Sequence, residues 1–150
     1  MNNPYLIRAL SFGPQIVARI VAQIEPSRYH THSDPDRFTF REAVAHLAEW
    51  DAIDLSRIKQ IVSRPGSDIE PFDEVELAAK NGYTRSDVHQ QLELFAQRRV
   101  ATIAFLETLP PDSWALSVVH GEKGPLTVYD MANLIVAHDT YHIEHLTQYL

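Results

Sequence analysis

Three short motifs of one kind punctuate this chain: Thr39-Phe40-Arg41-Glu42, Thr84-Arg85-Ser86-Asp87 and Thr127-Val128-Tyr129-Asp130. Each places a hydroxyl three residues ahead of a carboxylate, so that the two side chains can satisfy the free backbone N–H groups of a starting helix. Each opens a run whose apolar residues recur three and four apart, the period of a helix with one buried face. Only five glycines interrupt the 150 residues. A chain built this way has to bury its apolar stripes by packing helix on helix.

The first predicted helix starts near Pro4 or Tyr5 and runs to about Glu25. Pro14 implies a break at Phe12-Gly13, with the main helix from Pro14 onward and Ile16, Val17, Ile20, Val21 and Ile24 as its buried stripe. The polar stretch SRYHTHSDPDRF, residues 27–38, reads as a loop. The second helix opens at Thr39, buries Phe40, Ala43, Val44, Leu47, Trp50, Ile58 and Ile61, and stops before Pro65-Gly66. Residues 64–83 form a long connection with one short helical turn at 73–80. The third helix opens at Thr84, buries Val88, Leu92, Phe95, Val100, Ile103 and Leu106, and ends at Pro110-Pro111. A loop, DSWALSVVHGEKGP, leads to the fourth helix, which opens at Thr127 and runs to the C-terminus. Four long helices in one domain spanning residues 1–150 make an all-α four-helix bundle.

Composition removes several function classes. The net charge of −7 and the absence of any basic block longer than Arg98-Arg99 argue against nucleic acid or an anionic membrane as partner. No segment has the apolar length of a membrane span, and the N-terminus lacks the pattern of a secretory signal. Cysteine is absent, which excludes disulfides, thiolate-bound metals and a cysteine nucleophile. A cytoplasmic location is the expectation.

The chemistry concentrates in AHDTYHIEHL, residues 137–146, where His138, His142 and His145 fall on one narrow arc of the fourth helix together with Met131, Leu134 and Tyr141. Histidines four apart on a helix can turn two ring nitrogens toward one divalent ion. His145 lies seven residues beyond His138, about 10.5 Å along the axis, too far to share that site readily. A third ligand has to come from another helix, and His46 fits: it sits on the edge of the second helix's apolar stripe between Ala43 and Trp50. His30, His32, His89 and His120 read as solvent histidines. Asp139 gives HDTYH a likeness to the HExxH of zinc peptidases, but its shorter side chain and its position around the helix make a solvated charge the expectation. A di-iron bundle would need Glu-x-x-His pairs from two helices. Glu144 here is followed by Thr147, which excludes that arrangement.

FTFREAVAHLAEWD (residues 38–51) and GPLTVYDMANLIVAHDTYHIEHLTQYL (residues 124–150) together resemble the second and last helices of the DinB/YfiT-like superfamily. The resemblance implies an up-down-down-up bundle, often a homodimer. It also implies a divalent metal ion (zinc, nickel or iron) held by three histidines, which carry over onto His46, His138 and His142. His145 stands where many relatives carry Gln, and is expected to line the pocket or support a ligand, as are Tyr141, Trp50 and Asp139. Relatives include thiol-dependent transferases and isomerases as well as metal-dependent hydrolases. The expected function is therefore a metal-dependent enzyme on a small-molecule substrate, with transfer involving a low-molecular-weight thiol preferred because no general base is evident near the metal. A metal-dependent hydrolase and a non-enzymatic ligand-binding or stress-related dimer are the alternatives. Asp51, Asp54 and Arg57 can orient a charged substrate or serve as solvated helix charges.

Overall fold

A computed structural model describes residues 4–150. In chain order its elements are α1 (Pro4–Leu10), α2 (Phe12–Val21), α3 (Phe40–Ser63), β1 (Asp68–Ile69), α4 (Glu74–Lys80), α5 (Val88–Glu107), β2 (Ser117–His120), β3 (Gly124–Thr127) and α6 (Val128–Thr147). Two of the three expected capping boxes form in full. Thr39 Oγ1 accepts from the Glu42 N–H while Glu42 Oε2 accepts from the Thr39 N–H, and Thr127 and Asp130 repeat the exchange at the head of α6.

The third start is displaced. Asp87, and not Thr84, caps α5, its carboxylate accepting from the Gln90 N–H at 2.8 Å. Thr84 is held instead in a one-turn 3₁₀ helix, Tyr83–Arg85, entered through Gly82 at φ 65°. The N-terminal break also falls slightly earlier than the position of Pro14 implied, since α2 already begins at Phe12. Proline is tolerated in a first turn because its missing N–H has no partner there.

The four long helices pack with α3 and α2 on opposite corners, each flanked by α5 and α6. Phe40 meets Tyr149, and His46 meets His142 and His138, so α3 and α6 run antiparallel. Arg98 donates to the Ala48 carbonyl and Arg99 to Asp51, while Ile58 and Leu106 share one apolar cluster, so α3 and α5 run the same way. Gly13 abuts Asp139, and Ile20, Val21 and Ile24 share a cluster with Leu146 and Tyr149, which sets α2 parallel to α6. The order is up, down, down, up.

The segment read as a loop before the fourth helix contains a β-hairpin. β2 pairs antiparallel with β3, Ser117 opposite Thr127 and His120 opposite Gly124, and β1 adds parallel to β2. Its inward residues Val118 and Leu126 are buried among Ile58, Trp114 and Met131. A further difference lies on α5, where Val100 is 67% exposed and its neighbour Arg99 is 2% exposed.

That buried arginine joins the bundle. Its Nε donates to Asp51 Oδ1 at 2.8 Å, Nη1 to Asp139 Oδ2 and to the Leu10 carbonyl at 2.6 Å each, and Nη2 to Asp139 Oδ1 at 2.9 Å. Asp139 is thus a buried ion-pair partner and not the solvated charge its sequence position suggested. Gly13 is what admits it: a Cβ at that position would stand 2.1 Å from Asp139 Oδ2. Gly13→Ala should therefore cost about 2–4 kcal/mol in denaturant unfolding, whereas Gly121→Ala, whose Cβ would meet only Pro71 at 3.5 Å, should stay within about 0.5 kcal/mol of wild type. Arg99→Leu, which leaves two buried carboxylates without their cation, should cost about 3–5 kcal/mol by the same measurement.

Candidate metal centre

His46 projects from the first half of α3, where Ala43, Val44, Ala45, Leu47 and Ala48 are all buried and hold the helix face against its neighbours. His138 and His142 project from successive turns of α6. Because α3 and α6 run antiparallel at this level, the three rings converge. The ring centroids are 4.9 Å (His46–His138), 4.7 Å (His46–His142) and 4.6 Å (His138–His142) apart, and Nε2 of His46 lies 2.9 Å from Nε2 of His138. One nitrogen from each of the three falls within 4.8 Å of the others, the single such cluster of His, Asp or Glu groups among the described residues.

Aromatic walls fix the rings. Phe38 lies 5.1 Å from His46 and Trp50 stacks on it at 5.0 Å, while Tyr141 stands edge-on to His142 at 5.1 Å. The Tyr83 hydroxyl, on the far side of His46, donates to Glu49. Tyr141 and Leu134, expected to face the interior, lie on the edge of that arc and are exposed at 57% and 36%. Arg37 covers Tyr141, its guanidinium 4.5 Å from the ring centre and paired with Glu144 at 3.0 Å.

Burial keeps all three imidazoles neutral, driving His46 down to about 3, His138 to about 4 and His142 to about 2. Neutral imidazole is the form that binds a metal ion. The nitrogen spacing also suits one ion, since two ligands at about 2.0–2.1 Å from a common centre lie roughly 3–3.4 Å from each other. Within the cluster, Nε2 of His46 and Nε2 of His138 have only each other as hydrogen-bond partners among the described residues. The residues present therefore fit a divalent ion held by three histidines.

Two clefts reach the cluster from outside. The first, of about 220 Å³, is lined by His138 together with Trp50, Asp54, Arg57, Phe72 and His120. The second, of about 300 Å³, is lined by His142 and His145 with Arg37, Phe38 and Tyr141. His145 is 1% exposed and its Nε2 has no partner among the described residues.

Other groups depart from the sequence reading. Asp51 and Asp54 are not solvated but buried, at 2% and 5% exposure. His120 is buried in β2, where its Nδ1 accepts from the Glu122 and Lys123 N–H groups and closes the hairpin turn. Its place in the hairpin buries it, and the hairpin has no helical period to announce it. His30, His32 and His89 are exposed as expected.

Comparison with known proteins agrees with this architecture. The sequence profile of the DinB superfamily matches residues 9–146. A protein of Oceanobacillus iheyensis, provisionally named a metal-dependent hydrolase, is 22% identical over 134 residues, covering 89% of this chain and 77% of its own. YfiT from Bacillus subtilis, described as a probable metal-dependent hydrolase with an unusual four-helix bundle topology, superposes with a TM-score of 0.90 at 24% identity, over 97% of this chain and 83% of YfiT. A mycothiol-dependent maleylpyruvate isomerase superposes with a TM-score of 0.77 at 13% identity, over 97% of this chain but 61% of the isomerase. At these identities the structural likenesses establish the fold.

The depressed imidazoles give the metal-free protein a signed pH dependence. Below pH 6.5 the unfolded chain takes up protons that the folded cluster refuses, so stability is full above that value and is lost as pH falls toward the folded values. Three such groups contribute a slope of up to about 4 kcal/mol per pH unit. The denaturant midpoint of metal-free protein should fall steeply between about pH 6.5 and 4.5; a flat midpoint would mean that the rings are solvated.

Proposed function

The chain belongs to the DinB superfamily, and from that premise we propose that it is a divalent-metal-dependent enzyme acting on a small molecule, with His46, His138 and His142 as the metal ligands. The observation that carries this reading is access: His138 and His142 each border a cleft open to the outside. A structural metal would be enclosed by its four protein ligands, whereas three histidines and two approaches suit a site that exchanges reactants. When bound, a divalent ion there supplies Lewis acidity, lowering the pKa of a thiol or of water in its open position.

The remaining chemistry belongs to the chain. Trp50, Phe38 and Tyr83 crowd His46 and limit water around the cluster. Two clefts with largely different linings allow two reactants to approach one centre, which supports transfer between a low-molecular-weight thiol and a second small molecule. A specific observation also favours the hydrolytic alternative. Burial pushes the Asp54 carboxyl up to about 7, the range a proton acceptor for water needs. Thiol transfer remains the preferred reading because it requires no such acceptor. The reading includes a homodimer in the cytoplasm, the former testable by sedimentation. No described helix is long and apolar enough to cross a membrane.

Elemental analysis of tag-free protein tests the core of this reading. Wild type should carry near-equimolar metal, and His46→Ala and His142→Ala should each lose it while keeping a helical far-ultraviolet spectrum. No uptake after incubation with zinc or nickel, or full retention in His142→Ala, would overturn the ligand assignment. Loaded protein should then consume a low-molecular-weight thiol in the presence of an electrophile, and the His46→Ala variant should not.

A further inference from the structure

The cleft beside His138 contains an acid and a base that do not meet. Asp54 is 5% exposed and lines the cleft, and it has no hydrogen-bond partner among the described residues. A buried carboxyl in that state lacks the donors that nearly all buried polar groups have. One turn along α3 stands Arg57. Opposite charges three apart on a helix are neighbours that ordinarily pair, yet no ion pair joins these two. The Arg57 guanidinium is engaged elsewhere: it lies 5.3 Å from the Phe72 ring centre and 6.0 Å from that of Trp50, and Nη2 donates to the Glu70 carbonyl at 3.2 Å.

The other charged groups on the cleft wall are Glu74, Glu122 and Lys123, with Lys123 drawing the Glu74 carboxyl down against the rise that burial imposes. Asp54 and Arg57 attract one another along that wall with no ion pair or hydrogen bond joining them directly. A purely anionic ligand would leave Asp54 unanswered, and a purely cationic one would be repelled by Arg57. The volume of about 220 Å³ admits only a small group.

We infer that this cleft binds a small zwitterion, its ammonium against Asp54 and its carboxylate against Arg57, so that the substrate or its recognised end has the chemistry of a short amino acid. The inference deepens the enzyme reading above and rests on it for the substrate's role, although the binding itself does not require the metal. Separating a carboxylate–guanidinium pair and refilling the gap with a ligand of matching polarity gives two charge-assisted contacts in a partly dry site. Trp50 and Phe72 close the sides. His138 lies on the same cleft, so a group bound this way is delivered next to the three-histidine cluster.

Trp50 provides the readout. The only other tryptophan, Trp114, is buried at 4% exposure in the cluster around Leu106 and Val118, so a Trp114→Phe background makes Trp50 the sole reporter. Zinc-loaded and metal-free protein are each titrated with β-alanine, propionate and n-propylamine, which share one three-carbon frame. β-Alanine should change Trp50 fluorescence saturably, with Kd on the order of 1–10 mM for so small a ligand, and should bind at least about tenfold tighter than either single-charge probe. Asp54→Asn should erase its advantage over propionate, and Arg57→Gln its advantage over propylamine. Equal responses to the three probes, no saturable response to β-alanine up to about 50 mM, or a preference untouched by Asp54→Asn would overturn the inference. The wild-type probe comparison decides even if a variant fails to fold. Absence of zinc uptake would remove the enzyme reading alone, because the metal-free titration still reports on the zwitterion.

Discussion

One guanidinium holds this bundle in register. Arg99 on α5 bonds Asp51 on α3, Asp139 on α6 and the Leu10 carbonyl where α1 gives way to α2, so a single side chain reaches every other corner of the structure. Burying these charges is expensive, and their mutual attraction offsets that cost only when geometry and hydrogen bonding are nearly complete. Arg99 meets that condition, with each of its nitrogens bonded. Two carboxyls share one cation, burial pushes both upward, and Asp51 Oδ2 lacks a partner. Packing Phe95 under the guanidinium, at 5.0 Å, and removing every side-chain atom at Gly13 make the site small enough to exclude water.

The candidate metal centre depends on that registration. Asp139 immediately follows His138, and Asp51 lies little more than one turn beyond His46. Fixing the two carboxylates on one arginine therefore fixes the rotation and height of α3 against α6, and with them the angle at which three imidazoles meet. Apolar stripes alone would tolerate sliding, since one leucine packs nearly as well as the next. A bidentate ion pair does not tolerate it. The hairpin and the connection between β1 and α4 then wall the cleft beside His138, adding His120, Lys123 and Phe72 to a surface that the long helices alone would leave open.

Much of this was legible in the residues. The caps at Thr39 and Thr127, the break near Gly13, the short helix in the second connection and the convergence of His46 with His138 and His142 all follow from spacing. The buried charges were legible too, but on a stricter period. Phe40, Val44, Leu47, Asp51, Asp54, Ile58 and Ile61 step by four and three along α3, and so do Val88, Leu92, Phe95, Arg99, Thr102 and Leu106 along α5. Charges at such positions look like interruptions of the stripe when they are members of it. Reading Val100 as core followed from passing over Arg99. Thr84 misled differently, because its motif is sound in isolation and is overridden by the turn at Gly82, which Tyr83 anchors through Glu49.

By itself the sequence determined the long helices, the caps at Thr39 and Thr127, the helical class of the fold and the shared face of the histidines on α6, because helix period and local capping are properties of residues close along the chain. The tertiary structure decided which charges are buried, that residues 117–127 form a hairpin, and that Asp54 and Arg57 border one cleft without pairing. Those outcomes depend on desolvation, and desolvation is set by neighbours from distant parts of the chain.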